Sequence, residues 1–174
     1  LINHSKILGI KALKHGRNRM KLSTKGRYGL RAMVDLAENA EDGPVSIQTI
    51  ADRQELSEKY LEQLLGRLKR AGLVTSVRGI QGGYQVAGDP ADISVGDVLR
   101  ALEGDLTLVD CAGFEEDTAC RTAKHCVTKY VWRKINDSIQ STVNGISLKE
   151  LAQLSKSVQA GTWKEEYNKI RKEG

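Results

Sequence analysis

Long apolar runs are missing from this chain of 174 residues, and no stretch approaches the roughly 18 apolar residues that cross a membrane. No Ser–His–acid set and no phosphate-binding glycine loop is visible, so we expect no enzyme. Cysteine is scarce as well: there are three, and no export signal precedes them. An odd number of clustered thiols is typical of the reducing cytoplasm, where such clusters bind metal more often than they form disulfides. The sequence therefore predicts a cytoplasmic protein that is neither membrane-spanning nor catalytic.

The positive charge is concentrated at the N-terminus. Residues 1–19 carry five Lys or Arg and no acid, which equals the net charge of +5 of the whole chain. The rest of the chain is therefore balanced, and the high isoelectric point says little about its partners. Because residues 1–19 lack a cleavage site and a continuous apolar core, we interpret them as a flexible basic leader or as residues added in cloning. A DNA-binding arm is the alternative.

Residues 20–104 carry the pattern of a winged helix-turn-helix domain. Ser23 or Thr24 caps a first helix, Ser46 caps a short second one and Ser57 caps a third. Two short helices joined by a tight turn form a helix-turn-helix, and the second of them is the recognition helix. The β-branched run, the glycine-rich turn and the returning strand that follow, residues 73–86, predict a hairpin wing. The expected fold is mostly α-helical with a small β-hairpin wing.

A long amphipathic helix is predicted near the C-terminus. Apolar residues recur there every three or four positions, and the stripe is too apolar for a helix that stands alone. We expect it to pack on a second copy of the chain, with packing on its own core as the alternative. The expected interface residues are Val131, Trp132, Ile135, Ile139 and Val143. The expected organisation is a cysteine-bearing loop at 105–126, a dimerisation helix with a short return helix at 127–156, and a flexible tail at 157–174.

Candidate DNA contacts lie on the recognition helix and the wing. The N-terminal part of a recognition helix enters the major groove, which favours Lys59, Glu62 and Gln63 as base contacts. Gln63 can bond adenine through two hydrogen bonds, and Glu62 can accept a hydrogen bond from the N4 amino group of cytosine. Arg78 is long enough to reach a groove or a phosphate. The full set of predicted DNA-binding residues is Ser57, Lys59, Tyr60, Glu62, Gln63, Arg78, Gly82 and Gly83.

All three cysteines lie in one 16-residue stretch between the predicted DNA-binding domain and the predicted dimerisation helix. They are Cys111, Cys120 and Cys126. This placement suggests a sensor that detects chemistry at the thiols and reports it through DNA binding. Taken alone, the cluster is compatible with a metal site, with free thiols or with a thiol switch.

Four segments of the sequence form a recognisable set. They are Leu22-Ser23-Thr24-Lys25-Gly26-Arg27-Tyr28, Ser57-Glu58-Lys59-Tyr60-Leu61-Glu62-Gln63-Leu64, Gly72-Leu73-Val74 and Val77-Arg78-Gly79-Ile80-Gln81-Gly82-Gly83-Tyr84. Together they resemble one family of bacterial regulators, which includes IscR, NsrR and CymR. The resemblance covers residues 20–155 and is strongest to the iron–sulfur cluster regulator IscR. It implies a homodimeric transcription factor that binds double-stranded operator DNA and holds a [2Fe–2S] cluster through the three cysteines. It also implies operators near genes for cluster assembly or sulfur metabolism, and cluster-assembly proteins as cluster donors.

Two features depart from the IscR pattern. The first gap between cysteines is longer here, and Lys129 stands where IscR has a histidine ligand. A protonated lysine has no lone pair to donate, so the fourth ligand is open. His125, beside Cys126, is the nearest substitute, and Glu115, Glu116 and Asp117 are oxygen alternatives.

Other interpretations of the cysteines remain. Zinc is one, because three cysteines and a histidine form an ordinary structural zinc site. The others are a nitric-oxide sensor with a [4Fe–4S] cluster, and a cluster-free repressor of cysteine metabolism that a partner enzyme controls. A small electron carrier is disfavoured, since neither a helix-turn-helix nor a wing serves electron transfer.

Overall fold

The computed structural model describes residues 23–109, 126–165 and 167–168. The predicted leader, Cys111, Cys120 and His125 lie outside the described residues. The helices are α1 (Thr24–Glu38), α2 (Ile47–Gln54), α3 (Glu58–Arg70), α4 (Val95–Glu103), α5 (Thr128–Asn144) and α6 (Leu148–Gln159). Strands β1 (Val74–Val77) and β2 (Gly83–Val86) form an antiparallel hairpin. The predicted fold, mostly helical with a hairpin wing behind a helix-turn-helix, is confirmed.

Five of these six helices begin after a serine. In each case the serine hydroxyl accepts a hydrogen bond from a backbone N–H of the first turn, which such a turn otherwise leaves without a partner. The five residues are Ser23, Ser46, Ser57, Ser94 and Ser147. Helix α5 is the exception, because Val127 precedes it and makes no side-chain cap. The predicted caps at Ser46 and Ser57 are thus confirmed, and of the two candidates for the first helix, Ser23 and Thr24, the cap is Ser23. Helix α6 ends at Gln159, slightly beyond the predicted start of the tail at residue 157.

The main core lies between α1, α3 and α4 and extends under the wing. It is built from one apolar face of each helix, as their periodicity predicts. Its largest fully buried side chains are Met33, Leu36, Ile50, Leu61, Leu64, Leu65, Leu68, Leu148, Val74 and Val98. Helix α6 packs on α1, so the return helix belongs to the same unit as the helix-turn-helix. Among the described residues, no helix is long and apolar enough to cross a membrane.

The wing is anchored to the loop that precedes α2. Val45 and Tyr84 exchange two backbone hydrogen bonds of 2.8 Å, which adds a short bridge to the hairpin. This bridge brings the two backbones so close that a Cβ on Gly83 would lie 2.2 Å from the carbonyl oxygen of Val45. Glycine is therefore required at position 83 by the fold itself.

A buried ion pair joins α1 to α2. Asp35 is 4% exposed, and the Arg53 guanidinium donates to both of its carboxylate oxygens, at 2.6 and 3.0 Å. The side-chain amide of Gln54 donates to the same carboxylate at 2.9 Å. A buried carboxylate needs such donors, since burial otherwise disfavours its charge. This pair was not predicted from the sequence, because nothing in the residues around either partner indicates the other.

Glu103, at the end of α4, caps the N-terminus of α1. Its Oε1 accepts from the Ser23 N–H at 2.9 Å, the Ser23 hydroxyl at 2.7 Å and the Gly26 N–H at 2.9 Å. Burial opposes the charge on this carboxylate, but these donors outweigh it and hold the pKa of Glu103 below its usual value. The C-terminal end of α4 is thereby joined to the N-terminal end of α1, although the two helices are distant in sequence.

The substitution Glu103→Gln is expected to lower the free energy of unfolding by about 1 kcal/mol at pH 7, because the charge-assisted hydrogen bonds weaken. A lowered folded pKa stabilises the fold above the unfolded value of 4.5, and this contribution is lost as the pH falls through the folded pKa. Urea unfolding of both proteins at pH 7 and pH 3 measures the difference. The difference in the free energy of unfolding between the two proteins should be smaller at pH 3 than at pH 7. A difference of equal size at both pH values would contradict the stabilising role of the Glu103 charge.

Candidate DNA interface and cysteine segment

The recognition helix α3 divides cleanly into a buried and an exposed face. Leu61, Leu64, Leu65 and Leu68 face the core and are at most 1% exposed. On the opposite face, the predicted base contacts Lys59, Glu62 and Gln63 are all exposed, together with Arg67 and Arg70. The structure therefore brings the three predicted base contacts to one accessible surface. Their contact with DNA stays a prediction.

Ser57 and Tyr60 also have roles within the protein. The Ser57 hydroxyl caps α3 by accepting from the Tyr60 N–H at 3.3 Å. The Tyr60 ring stacks edge-on against Tyr28 of α1, with ring centroids 6.2 Å apart, and its hydroxyl lies 3.5 Å from that of Thr24. Tyr60 thus packs α3 against α1, a role that sequence reasoning missed when it assigned the residue to DNA alone.

The turn of the wing points away from the core. Arg78 is exposed, and the Ile80 side chain is fully accessible to solvent. Gly79 has a φ of +121°, a backbone conformation that favours glycine, and the Gly82 N–H donates to its carbonyl at 3.0 Å. A Cβ on Gly82 would lie 2.4 Å from the Val77 carbonyl oxygen. Gly82 and Gly83 are therefore needed to close the wing, whatever they contact beyond it.

One side chain ties the wing to the recognition helix. The Lys69 ammonium donates to the hydroxyl of Ser76 on β1. This exposed bond adds a contact between the wing and α3, beside the burial of Val74 and Val86 in the core.

Gly66 is a feature of α3 that sequence reasoning missed. It lies one turn after Glu62 and Gln63, and a Cβ there would meet nothing within 4 Å. The fold does not require a glycine at this position, although glycine costs a helix interior roughly 0.5–1 kcal/mol relative to alanine. An external surface that approaches the helix closely is a physical reason for it.

The substitution Gly66→Ala is expected to change stability and DNA binding in opposite directions. The free energy of unfolding should rise by roughly 0.5–1 kcal/mol, while operator affinity falls because a methyl group enters the interface. Urea unfolding and fluorescence anisotropy measure the two effects. Unchanged affinity in the stabilised variant would show that DNA does not approach position 66.

Cys126 is the cysteine that the structure describes, and it lies just before the first turn of α5. Its thiol is 3.0 Å from the Thr128 hydroxyl, and the Lys129 N–H donates to its carbonyl oxygen at 3.2 Å. The hydrogen bond with Thr128 is the largest of the effects that lower the pKa of the Cys126 thiol. A thiol with a lowered pKa is more readily the thiolate that binds metal.

The other predicted ligands, Cys111, Cys120 and His125, lie outside the described residues. Within 23–109 and 126–168, apart from position 166, no three His, Cys, Asp or Glu side chains are grouped closely enough to hold a metal ion. The ligand set therefore stays a prediction from the sequence.

The predicted dimerisation helix has an unusual surface. In the described part of the chain, α5 has no buried residue, and Val131, Trp132 and Ile135 are 48%, 38% and 38% exposed. Ile135, Ile139 and Val143 line one shallow groove of about 430 Å³. Val143 also packs, with Ile146, against a small cluster of Val95, Leu99 and Leu106. Only the C-terminal end of α5 is thus covered by its own described core.

Comparison with known proteins identifies the family. The family model described as Rrf2, iron-dependent transcriptional regulator, matches residues 22–154. The HTH-type transcriptional regulator IscR of Aliivibrio salmonicida is 44% identical over 132 residues, which cover 76% of this chain and 77% of that protein.

Two solved structures are also similar. The structure of IscR from T. potens is 47% identical with a TM-score of 0.62, covering 81% of this chain and 90% of that one. The structure of CymR, the global cysteine regulator of B. subtilis, is 41% identical with a TM-score of 0.65, covering 77% and 97%. These relatives are transcriptional regulators rather than enzymes, as the sequence predicted for this chain. Together with the winged helix-turn-helix, the match over residues 22–154 shows that the chain belongs to the Rrf2 family of transcriptional regulators.

Proposed function

We propose that this regulator is a cytoplasmic homodimer that binds operator DNA and senses the supply of iron–sulfur clusters. Cys111, Cys120 and Cys126 would hold a [2Fe–2S] cluster received from cluster-assembly proteins, and the operators would control genes for cluster assembly or sulfur metabolism. The observation that carries the proposal is the position of Cys126. This thiol stands at the start of α5, whose other end packs on α4 of the DNA-binding domain.

The donors present suit such a cluster. The Cys126 thiol belongs to a half-buried residue and has a lowered pKa, so it is accessible and inclined to ionise. Two further thiols lie within the same 16-residue stretch, and His125 offers an imidazole nitrogen beside Cys126. Lys129 cannot be the fourth ligand while it is protonated. When bound, the cluster would supply an iron centre that is gained or lost with cluster availability.

The exposed face of α5 supports pairing with a second copy. Its apolar residues continue along the helix beyond the part that packs on α4, and Val131, Trp132 and Ile135 stay 38–48% exposed there. Covering them would remove apolar surface from water at about 25 cal/mol per Å². A second copy presents the same stripe, so the two helices can bury each other's apolar faces in one symmetric contact.

A second candidate function is a regulator without a cluster. The similarity to CymR, at 41% identity, favours it. In that case the three thiols would not carry the signal, and a partner enzyme would control DNA binding. A nitric-oxide sensor with a [4Fe–4S] cluster is the remaining alternative for an iron-bound form.

Anaerobic purification tests these candidates. The visible spectrum, the iron, sulfide and zinc content per chain, and the mass by analytical ultracentrifugation should be measured on the same sample. The proposal predicts a coloured dimer with about two irons and two sulfides per chain. A colourless zinc protein, or a protein without metal after reconstitution with iron and sulfide, would refute it. Mössbauer spectra separate [2Fe–2S] from [4Fe–4S].

The exposed carboxylate of Glu62 is expected to control operator choice. Glu62→Ala should reduce the discrimination between operators with and without a cytosine at the contacted position by about 5- to 150-fold, since one base contact contributes about 1–3 kcal/mol. Arg78→Ala is the comparison: it should weaken binding to all operators alike and reduce the salt dependence by about one counterion. Titrations at several salt concentrations measure both. If Glu62→Ala behaves like Arg78→Ala, Glu62 does not read a base.

A further inference from the structure

A polar cluster around Arg100 joins α4 to the C-terminal end of α5. The Arg100 guanidinium donates to Gln140 Oε1 at 3.2 Å and to Asn144 Oδ1 at 2.8 Å, both on α5. It also donates to Asp97 Oδ1 on its own helix at 3.0 Å. A guanidinium is planar and its donors point in fixed directions. Three acceptors from two helices therefore define the angle between α4 and α5.

Close packing at Gly96 and one backbone hydrogen bond reinforce this junction. A Cβ on Gly96 of α4 would lie 2.2 Å from Asn144 Oδ1, so the end of α5 fits against α4 because position 96 has no side chain. Just beyond α5, the Ile146 carbonyl accepts from the Val95 N–H at 2.9 Å. The junction is thus held at its polar edge by Arg100 and at its other edge by the backbone.

The rest of α5 extends away from this junction. From Asn144 to Thr128 the helix is about 24 Å long, at 1.5 Å per residue. A rotation of 10° at the junction would therefore move the far end, near Cys126, by about 4 Å. Among the described residues, no residue of α5 is buried, and α4 is the element that packs on this helix most closely.

We propose that Arg100 is a positioning residue that sets the direction of α5 and thereby the separation of the two recognition helices in the dimer. Helix α4 packs on α1 and α3, so the angle that Arg100 fixes is an angle relative to the recognition helix. Movement at the cysteine-bearing end of α5 reaches the DNA-binding domain through the same contacts. This inference rests on the proposed dimer and on operator binding.

Operators with altered spacing test it. Inserting one base pair between half-sites shifts one recognition surface by about 3.4 Å and rotates it by about 34°. The wild-type dimer should lose affinity by about tenfold or more, because a rigid junction cannot follow. Arg100→Ala should lose only about twofold, and its affinity for a single half-site should equal that of the wild type. Arg100→Lys should lie between them, since an ammonium cannot reproduce the planar geometry of the guanidinium.

Two further variants separate a junction effect from a change in charge or folding. Lys149→Ala removes an exposed cation of α6 and should keep the spacing dependence of the wild type. Asn144→Ala should reduce the dependence of affinity on half-site spacing in part. Adding Arg100→Ala to this variant should then reduce that dependence less than it does in the wild type, because both residues act in one cluster. If Arg100→Ala fails to fold by circular dichroism, Arg100→Lys and Asn144→Ala decide the question.

If Arg100→Ala loses as much affinity on insertion of a base pair as the wild type does, the role of Arg100 is overturned and the proposed function stays intact. Where Arg100→Ala does not fold, the same result in both Arg100→Lys and Asn144→Ala has the same meaning. A wild-type protein that binds one half-site as tightly as the full operator would overturn the proposed paired binding, and the role of Arg100 with it.

Discussion

Replacing Cys111, Cys120 and Cys126 together by alanine is expected to abolish visible absorption and reduce the iron content to background. Alanine has no lone pair to offer, and one nitrogen ligand does not hold a cluster. The folded domain should survive, because Cys126 is outside the core. Metal analysis and circular dichroism of the anaerobically purified variant measure both outcomes.

His125→Ala sharpens this experiment. If His125 is the fourth ligand, the variant should lose its cluster faster than the wild type on exposure to a chelator. Adding Lys129→His should slow that loss, because it places an imidazole where IscR has one. His15→Ala, which removes a histidine of the N-terminal stretch, is the matched control and should behave as the wild type. Full iron content in the triple cysteine variant would show that the metal is held elsewhere.

Arg53→Ala is expected to destabilise the protein by about 2–3 kcal/mol. Removing one partner of a buried pair typically costs 3–5 kcal/mol. The smaller figure applies here because the Arg53 side chain is 40% exposed and Gln54 still donates to Asp35. Because the pair joins α1 to α2, the variant should also bind DNA less tightly at temperatures close to its midpoint of unfolding. Urea unfolding at pH 7 measures the loss.

Two controls accompany this variant. Arg53→Lys should recover part of the stability, since an ammonium keeps the charge but makes fewer hydrogen bonds. Arg70→Ala removes an exposed arginine of α3 and should change stability by less than about 0.5 kcal/mol. A loss in Arg53→Ala no larger than in Arg70→Ala would mean that solvent already satisfies Asp35.

Local patterns were enough to predict the order of elements. Ser46 and Ser57 mark helix starts through bonds within three residues, and the leucines of α3 repeat with the period of the helix. The glycines of the wing turn predict a hairpin for the same reason. Each of these patterns involves residues that are close in sequence, so it can be recognised without the structure.

Contacts between distant residues were not predictable in this way. The bonds from Ser23 to Glu103 span 80 residues, and the Val45–Tyr84 bridge that requires Gly83 joins the loop before α2 to β2, with no shared sequence pattern. The apolar stripe of α5 was predicted from the spacing of its apolar residues. That spacing does not indicate that Val143, at one end of the stripe, packs on its own chain. Arg100 likewise shows no local sign that its partners lie 40 and 44 residues away.

The most direct measurement compares operator affinity before and after the iron is removed from anaerobically prepared protein. If a cluster on Cys111, Cys120 and Cys126 controls DNA binding, affinity for at least one class of operator should change by about tenfold or more. Equal affinity for every operator, in samples whose iron is shown to be present and then absent, would contradict the proposed control by the cluster.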